Sequence, residues 1–111
     1  MKRIEAFIKP HRMSKVVSAL HALPNFPGFT MLQGHGQGHG RGAGGHYVYE
    51  PDKGLLFHTQ TVLIVVCADQ DAASISDAIA RAAHTGNKGD GIVIVSDLQG
   101  AVRVRDAGGT P

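Results

Sequence analysis

The run Thr59-Gln60-Thr61-Val62-Leu63-Ile64-Val65-Val66-Cys67, followed by Ile75, Ala78, Ile79 and Ala82 at helical spacing, decides the fold. Its first nine residues are rich in β-branched side chains, which fit a pleated and buried surface, so a buried strand is expected. Asp69 or Asp71 is placed to cap a helix that runs to about His84, with Ile75, Ala78, Ile79 and Ala82 on its inner face. The short glycine-rich stretch Gly86 to Gly91 ends that helix, and Ile92-Val93-Ile94-Val95 then reads as another strand.

The same order occurs nearer the N-terminus. Ile4, Ala6 and Ile8 alternate with Glu5, Phe7 and Lys9 until Pro10 stops the run, which is the period of a strand. Met13, Val16, Val17, Leu20 and Leu23 then recur at spacings of three and four, one face of a helix over His11 to Leu23, closed by Pro24. After a turn at Pro27-Gly28, Phe29 to Gln33 reads as a second strand, and Ala101 to Arg105 as a short strand near the C-terminus.

Between the two halves lies Gly34 to His46, in which seven of thirteen residues are glycine, so ordering it costs entropy. With the residues to Leu56 it forms a loop of about twenty residues, of a kind usually kept for function. Flexibility is expected over about 34–56. The predicted fold is therefore α+β, a ferredoxin-like βαββαβ sandwich in one domain over 1–111, with a long loop after the second strand and a short C-terminal strand. Two helices cover one sheet face. The other face, for which Phe7, Leu63, Val65, Val93 and Val95 are candidates, needs cover from another copy.

Composition narrows the function. A formal charge of +2 with dispersed Lys and Arg argues against nucleic acid as the main partner, because that binding needs many phosphate contacts on one face. The longest apolar stretch, Val62 to Ala68, is too short to span a bilayer. The opening residues carry no long apolar segment of a signal peptide, and a lone cysteine, Cys67, forms no internal disulfide, so a reducing cytoplasmic location is expected. No paired carboxylates and no nucleophile–base pair stand out, so no catalytic residue is assigned.

Two glycine- and arginine-bearing segments carry the chemistry. Consecutive glycines in Thr85-Gly86-Asn87-Lys88-Gly89-Asp90-Gly91 let backbone N–H groups approach a phosphate. Arg103 and Arg105, two apart on the expected last strand, would point to one face and grip phosphate oxygens. The plainer alternative is that Gly86 ends the helix and Gly89-Asp90-Gly91 is only a tight turn.

Read together, these segments resemble the PII signal-transduction family almost end to end. The opening Met1 to Pro10 looks like its first strand, Gly28-Phe29-Thr30 like its G-x-T turn, Thr85 to Gly91 like its T-G-x-x-G-D-G loop, and Arg103 with Arg105 like its R-x-R pair. The resemblance implies a homotrimer that binds ATP or ADP in clefts between subunits and regulates a transporter or metabolic enzyme through the long loop. The matching nucleotide positions are Ile8, Gly28, Phe29, Thr30, Gly36, Gly38, Val66, Gly89, Asp90, Gly91, Arg103 and Arg105. Three positions depart from the family pattern. Ile92 stands where a lysine often follows the D-G pair, Gly40 where a glutamine usually helps hold Mg²⁺ and 2-oxoglutarate, and Gln60 where a lysine pairs with that dicarboxylate. A neutral side chain cannot pair with a dicarboxylate as an ammonium can, which weighs against 2-oxoglutarate as an effector. Tyr47 and Tyr49 do not lie in the segment that carries the family's modified tyrosine.

The histidines suggest a different chemistry. His35, His39 and His46 lie in the glycine-rich loop and His58 at its far end, and imidazoles on a pliant loop can surround Zn²⁺ or copper. The competing expectation is thus a metal-binding or metal-responsive trimer, either PII-like with a histidine-rich loop or similar to the CutA proteins of the same fold. Mg²⁺ or Zn²⁺ is the accompanying ion to consider. His11, His21 and His84 are expected at the surface.

Overall fold

The computed structural model describes residues 1–36 and 58–107, the side chain of His58 excepted. Four strands form one sheet: β1 (Lys2–Ile8), β2 (Thr30–Gly36), β3 (His58–Cys67) and β4 (Gly91–Asp97), with helix α1 (Met13–His21) after β1 and helix α2 (Ala72–Ala83) after β3. The order across the sheet is β2-β3-β1-β4 and each neighbouring pair is antiparallel. Two β-α-β units are therefore interleaved, as the ferredoxin-like reading predicts.

Alternation along the central strands sets the core. Ile4, Ala6 and Ile8 of β1 and Leu63, Val65 and Cys67 of β3 are all buried, at most 3 % exposed, beneath both helices. Val16 and Leu20 of α1 and Ile75 and Ile79 of α2 close over them. The Arg12 guanidinium ties the helices together by donating from Nε (3.1 Å) and Nη2 (2.8 Å) to the Ala82 carbonyl. That carbonyl lies in the last turn of α2, where acceptors lack intrahelical partners. Among the described residues no helix is long and apolar enough to cross a membrane.

The expected membership of the uncovered face needs correction. Directly paired residues share a face, and Leu63 and Val93 flank Ala6 while Val65 and Val95 flank Ile4, so all four lie on the helix side. Phe7 alone of the expected set is on the open side. There the register aligns Leu32, Val62, Phe7 and Ile92 in one apolar row across all four strands, with Ile64 and Ile94 in the next. A strand's two faces differ by one residue, and no strand with apolar residues on both faces reveals its parity by composition alone.

Other boundaries also shift. β2 runs on through Gly34 and His35 to Gly36, because pairing with His58, Thr59 and Gln60 supplies ladder partners that glycine-poor propensity alone would not. Residues 37–57, the rest of the expected loop, lie outside the described residues. Neither acidic residue caps α2 through its side chain: Asp69 instead meets the Met1 amino group at 2.7 Å, while a 3₁₀ turn at Asp69–Asp71 leads into the helix. Ala101–Arg105 forms no strand. The Asp106 and Ala107 N–H groups donate to the carbonyls of Arg103 and Val104 and close a 3₁₀ turn over Val104–Asp106. Lacking a ladder neighbour within the chain, this segment leaves Val102 and Val104 77 % and 88 % exposed.

Candidate functional site

The glycine-rich loop between α2 and β4 is organised around one carboxylate. Asp90 Oδ2 accepts the N–H groups of Thr85 (2.8 Å) and Gly86 (2.9 Å), and Oδ1 accepts the Thr85 hydroxyl and Lys9 Nζ (3.1 Å). Lys9 Nζ also reaches Thr85 Oγ1 at 3.3 Å, and Thr85 Oγ1 accepts the Asn87 N–H at 3.1 Å. His84 Nδ1 stands 3.7 Å from Asp90 Oδ2. The Thr85 hydroxyl, the two N–H groups and the Lys9 ammonium hold the Asp90 carboxyl well below the usual carboxylate range. A hydrogen-bonded turn across Lys88 and Gly89 engages the Asp90 N–H, while among the described residues no acceptor takes the N–H groups of Lys88 and Gly89, which are free to meet an anion.

Glycine is obligatory at the end of this loop. Gly91 has φ +108°, and a Cβ there would overlap the Phe7 carbonyl oxygen of the paired strand. Because Ile8 pairs with Gly91, β1 and β4 deliver Ile8, Lys9, Asp90 and Gly91 to one end of the sheet. A shallow cleft of about 390 Å³ lies beside them, with His84 and Ile92 on its walls. Ile92, where a phosphate-binding lysine would stand by resemblance, is 59 % exposed.

The other expected residues collect elsewhere. Gly28, Phe29, Thr30, Val66 and Arg103 line an open, largely apolar cleft of about 670 Å³. Ring contacts with Phe26 at 6.4 Å and with the exposed His21 at 6.5 Å hold Phe29 at its wall. Val66 pairs with Arg3, whereas Gly91 pairs with Ile8. Five residues of β1 separate those positions, about 17 Å at the rise of an extended strand. Within one chain the expected site is thus two half-sites at opposite ends of the sheet. Arg103 stands at one of them, while Arg105, in the 3₁₀ turn, does not line the cleft and comes within 3.9 Å of Asp106. The two arginines do not share a strand face, because no strand forms there.

Gly36 ends β2, and the Gln60 carboxamide lies across it, its oxygen 2.6 Å from where a Cβ would be. Gly38, His39 and His46 lie outside the described residues. His35 pairs with Thr59 and His58 with Gly36, so the two histidine positions fall on opposite faces of the ribbon. Among the described residues no three His, Cys, Asp or Glu side chains form a metal-holding group. Cys67 is buried, and burial first, then the Asp71 charge, pushes its thiol up, away from a nucleophile's range.

Sequence reasoning missed Lys9 and Thr85 as site residues. The signal was present: Lys9 follows the last paired residue of β1, where a returning β4 must bring the glycine loop.

The chain is similar to known proteins along nearly its whole length. The family model for nitrogen regulatory protein P-II matches residues 1–108. The nitrogen regulatory proteins P-II of Rhizobium meliloti and Azospirillum brasilense are each 34 % identical over 110 residues, covering 95 % of this chain and 92 % of theirs. That of Porphyra purpurea is 29 % identical over 109 residues with the same coverage. The chain belongs to the nitrogen regulatory protein P-II family, whose name denotes regulation rather than catalysis. The match gives no support to the CutA-like, metal-binding expectation.

Proposed function

We propose that this chain is a cytoplasmic signal-transduction regulator that works as a homotrimer, binds ATP or ADP between subunits, and controls a partner transporter or metabolic enzyme through the segment joining β2 and β3. One observation carries the reading: the strand positions beside the phosphate-type loop and beside the Gly28–Arg103 cleft are about 17 Å apart along β1, farther than a triphosphate reaches, so both can meet the same phosphates only across two copies. The open apolar face supports the same assembly, since its four-strand row has no cover within the chain among the described residues.

In this arrangement the free N–H groups of the glycine loop and the Arg103 guanidinium meet the phosphates, and the Phe29 and Val66 side receives the base. Asp90, already engaged on both oxygens, is a poor ligand for an accompanying Mg²⁺. Titration calorimetry with ATP, ADP and AMP tests the proposal directly. Arg103→Ala should weaken ATP binding by about 1.5–3 kcal/mol, the range of a charge-assisted hydrogen bond. Absence of binding by any of the three nucleotides to the wild-type protein overturns the reading, and unchanged affinity in the variant removes Arg103 from the site.

A further inference from the structure

We infer that Asp90 is a positioning residue of the nucleotide site: its carboxylate shapes the glycine loop from inside, latched to β1 through Lys9, and does not itself contact the ligand. The inference rests on the nucleotide reading above and deepens it.

The geometry leaves Asp90 little else to do. Its two oxygens already accept four donors, two from the loop backbone, one from the Thr85 hydroxyl and one from Lys9. The Thr85 and Gly86 amides, which a phosphate would otherwise attract, are thereby consumed by the protein's own anion. What the loop offers outward is the next pair of N–H groups, at Lys88 and Gly89, between the positive-φ positions Gly86 and Gly91. Lys9 lies one residue past the β1–β4 pairing at Ile8, so its ion pair fastens the loop to the central strand. The charged and titratable groups around the carboxylate are Lys9 and His84, with Lys88 exposed on the loop itself.

A simple charge argument gives the opposite sign, which makes the inference testable. A carboxylate near a triphosphate repels it, so neutralising Asp90 ought to tighten binding if the residue were a bystander. A positioning residue reverses this: Asp90→Ala should weaken ATP binding roughly tenfold or more, because misplaced donors lose their aim. Asp90→Asn keeps one carbonyl acceptor for the loop amides and should fall between alanine and wild type. Thr85→Val removes a hydroxyl and changes no charge, so a loss of affinity there reports geometry alone.

The experiment is ATP titration of the intact wild-type, Asp90→Ala, Asp90→Asn and Thr85→Val proteins, with hydrogen exchange at the Thr85 and Gly86 amides measured without nucleotide. Weakened binding in all three variants, in the order given, together with lost protection in Asp90→Ala, supports the inference. Equal or tighter binding in both Asp90 variants overturns it. If the wild-type protein binds no adenine nucleotide, the functional reading fails separately. Unchanged amide protection in Asp90→Ala would then overturn the latch as well, and lost protection would uphold it as the loop's organiser.

Discussion

Replacing Gly91 with alanine tests the junction on which fold and site both depend. The backbone there has φ +108°, where an L side chain is strained by about 1–3 kcal/mol. The new Cβ would also overlap the Phe7 carbonyl oxygen, and that obstacle is backbone, not the yielding end of a side chain. To relieve it, β4 must separate from β1 around the Ile8–Gly91 pair, losing one or two ladder hydrogen bonds at about 0.5–1.5 kcal/mol each. The terms combine to about 1.5–6 kcal/mol of destabilisation, a fall in Tm of roughly 6 °C or more for a domain of this size. Gly100→Ala serves as control, since nothing lies within 4 Å of a Cβ at that position and its φ is unremarkable. Denaturant and thermal unfolding of the three proteins at one protomer concentration reads the difference. A Gly91→Ala protein within about 1 kcal/mol of wild type would refute the close approach of β1 and β4 and with it the placement of the glycine loop.

Other outcomes follow from the same structure. Ile64→Lys puts a charge in the centre of the open sheet face and should convert the assembly to monomer in sedimentation velocity while circular dichroism stays native-like; a variant that still sediments as wild type contradicts the use of that face. Leu20→Ala deletes a fully buried side chain over the sheet and should cost about 2–5 kcal/mol in urea unfolding. The Asp90 carboxyl is held below its ordinary value of 3.8, so its contribution to folding is complete above that pH and lost as pH falls below it. The stability difference between wild type and Asp90→Asn should therefore stay constant from about pH 8 to pH 5 and shrink in stronger acid. A difference that grew on acidification would contradict the ionised, hydrogen-bonded carboxylate.

The order of elements was legible from local pattern. Alternation in Lys2–Ile8, three-and-four spacing around Val16 and Leu20 and around Ile75 and Ile79, and stops at Pro10 and Pro24 report side-chain periodicity, which is a property of neighbouring residues. The glycine loop was legible for the same reason, since Gly86, Gly89 and Gly91 mark positive φ within seven residues. What chain-local reading could not supply was long-range pairing. Whether Leu63 or Val62 faces the helices depends on the register between β1 and β3, residues about sixty apart in sequence, and both choices are apolar. The C-terminal arginines showed the right spacing for a strand, yet a strand exists only where a neighbour offers its ladder, and none does so within this chain among the described residues. The role of Lys9 likewise emerged only when β4 folded back beside β1 and brought Asp90 to 3.1 Å from an ammonium 81 positions away in the chain. Sequence alone determined the four strands of the sheet, the two helices and the glycine turn, though not the fate of Ala101–Arg105. Tertiary structure decided which faces meet, which donors are consumed and which are left for a ligand, because those depend on contacts between residues that only the folded chain brings together.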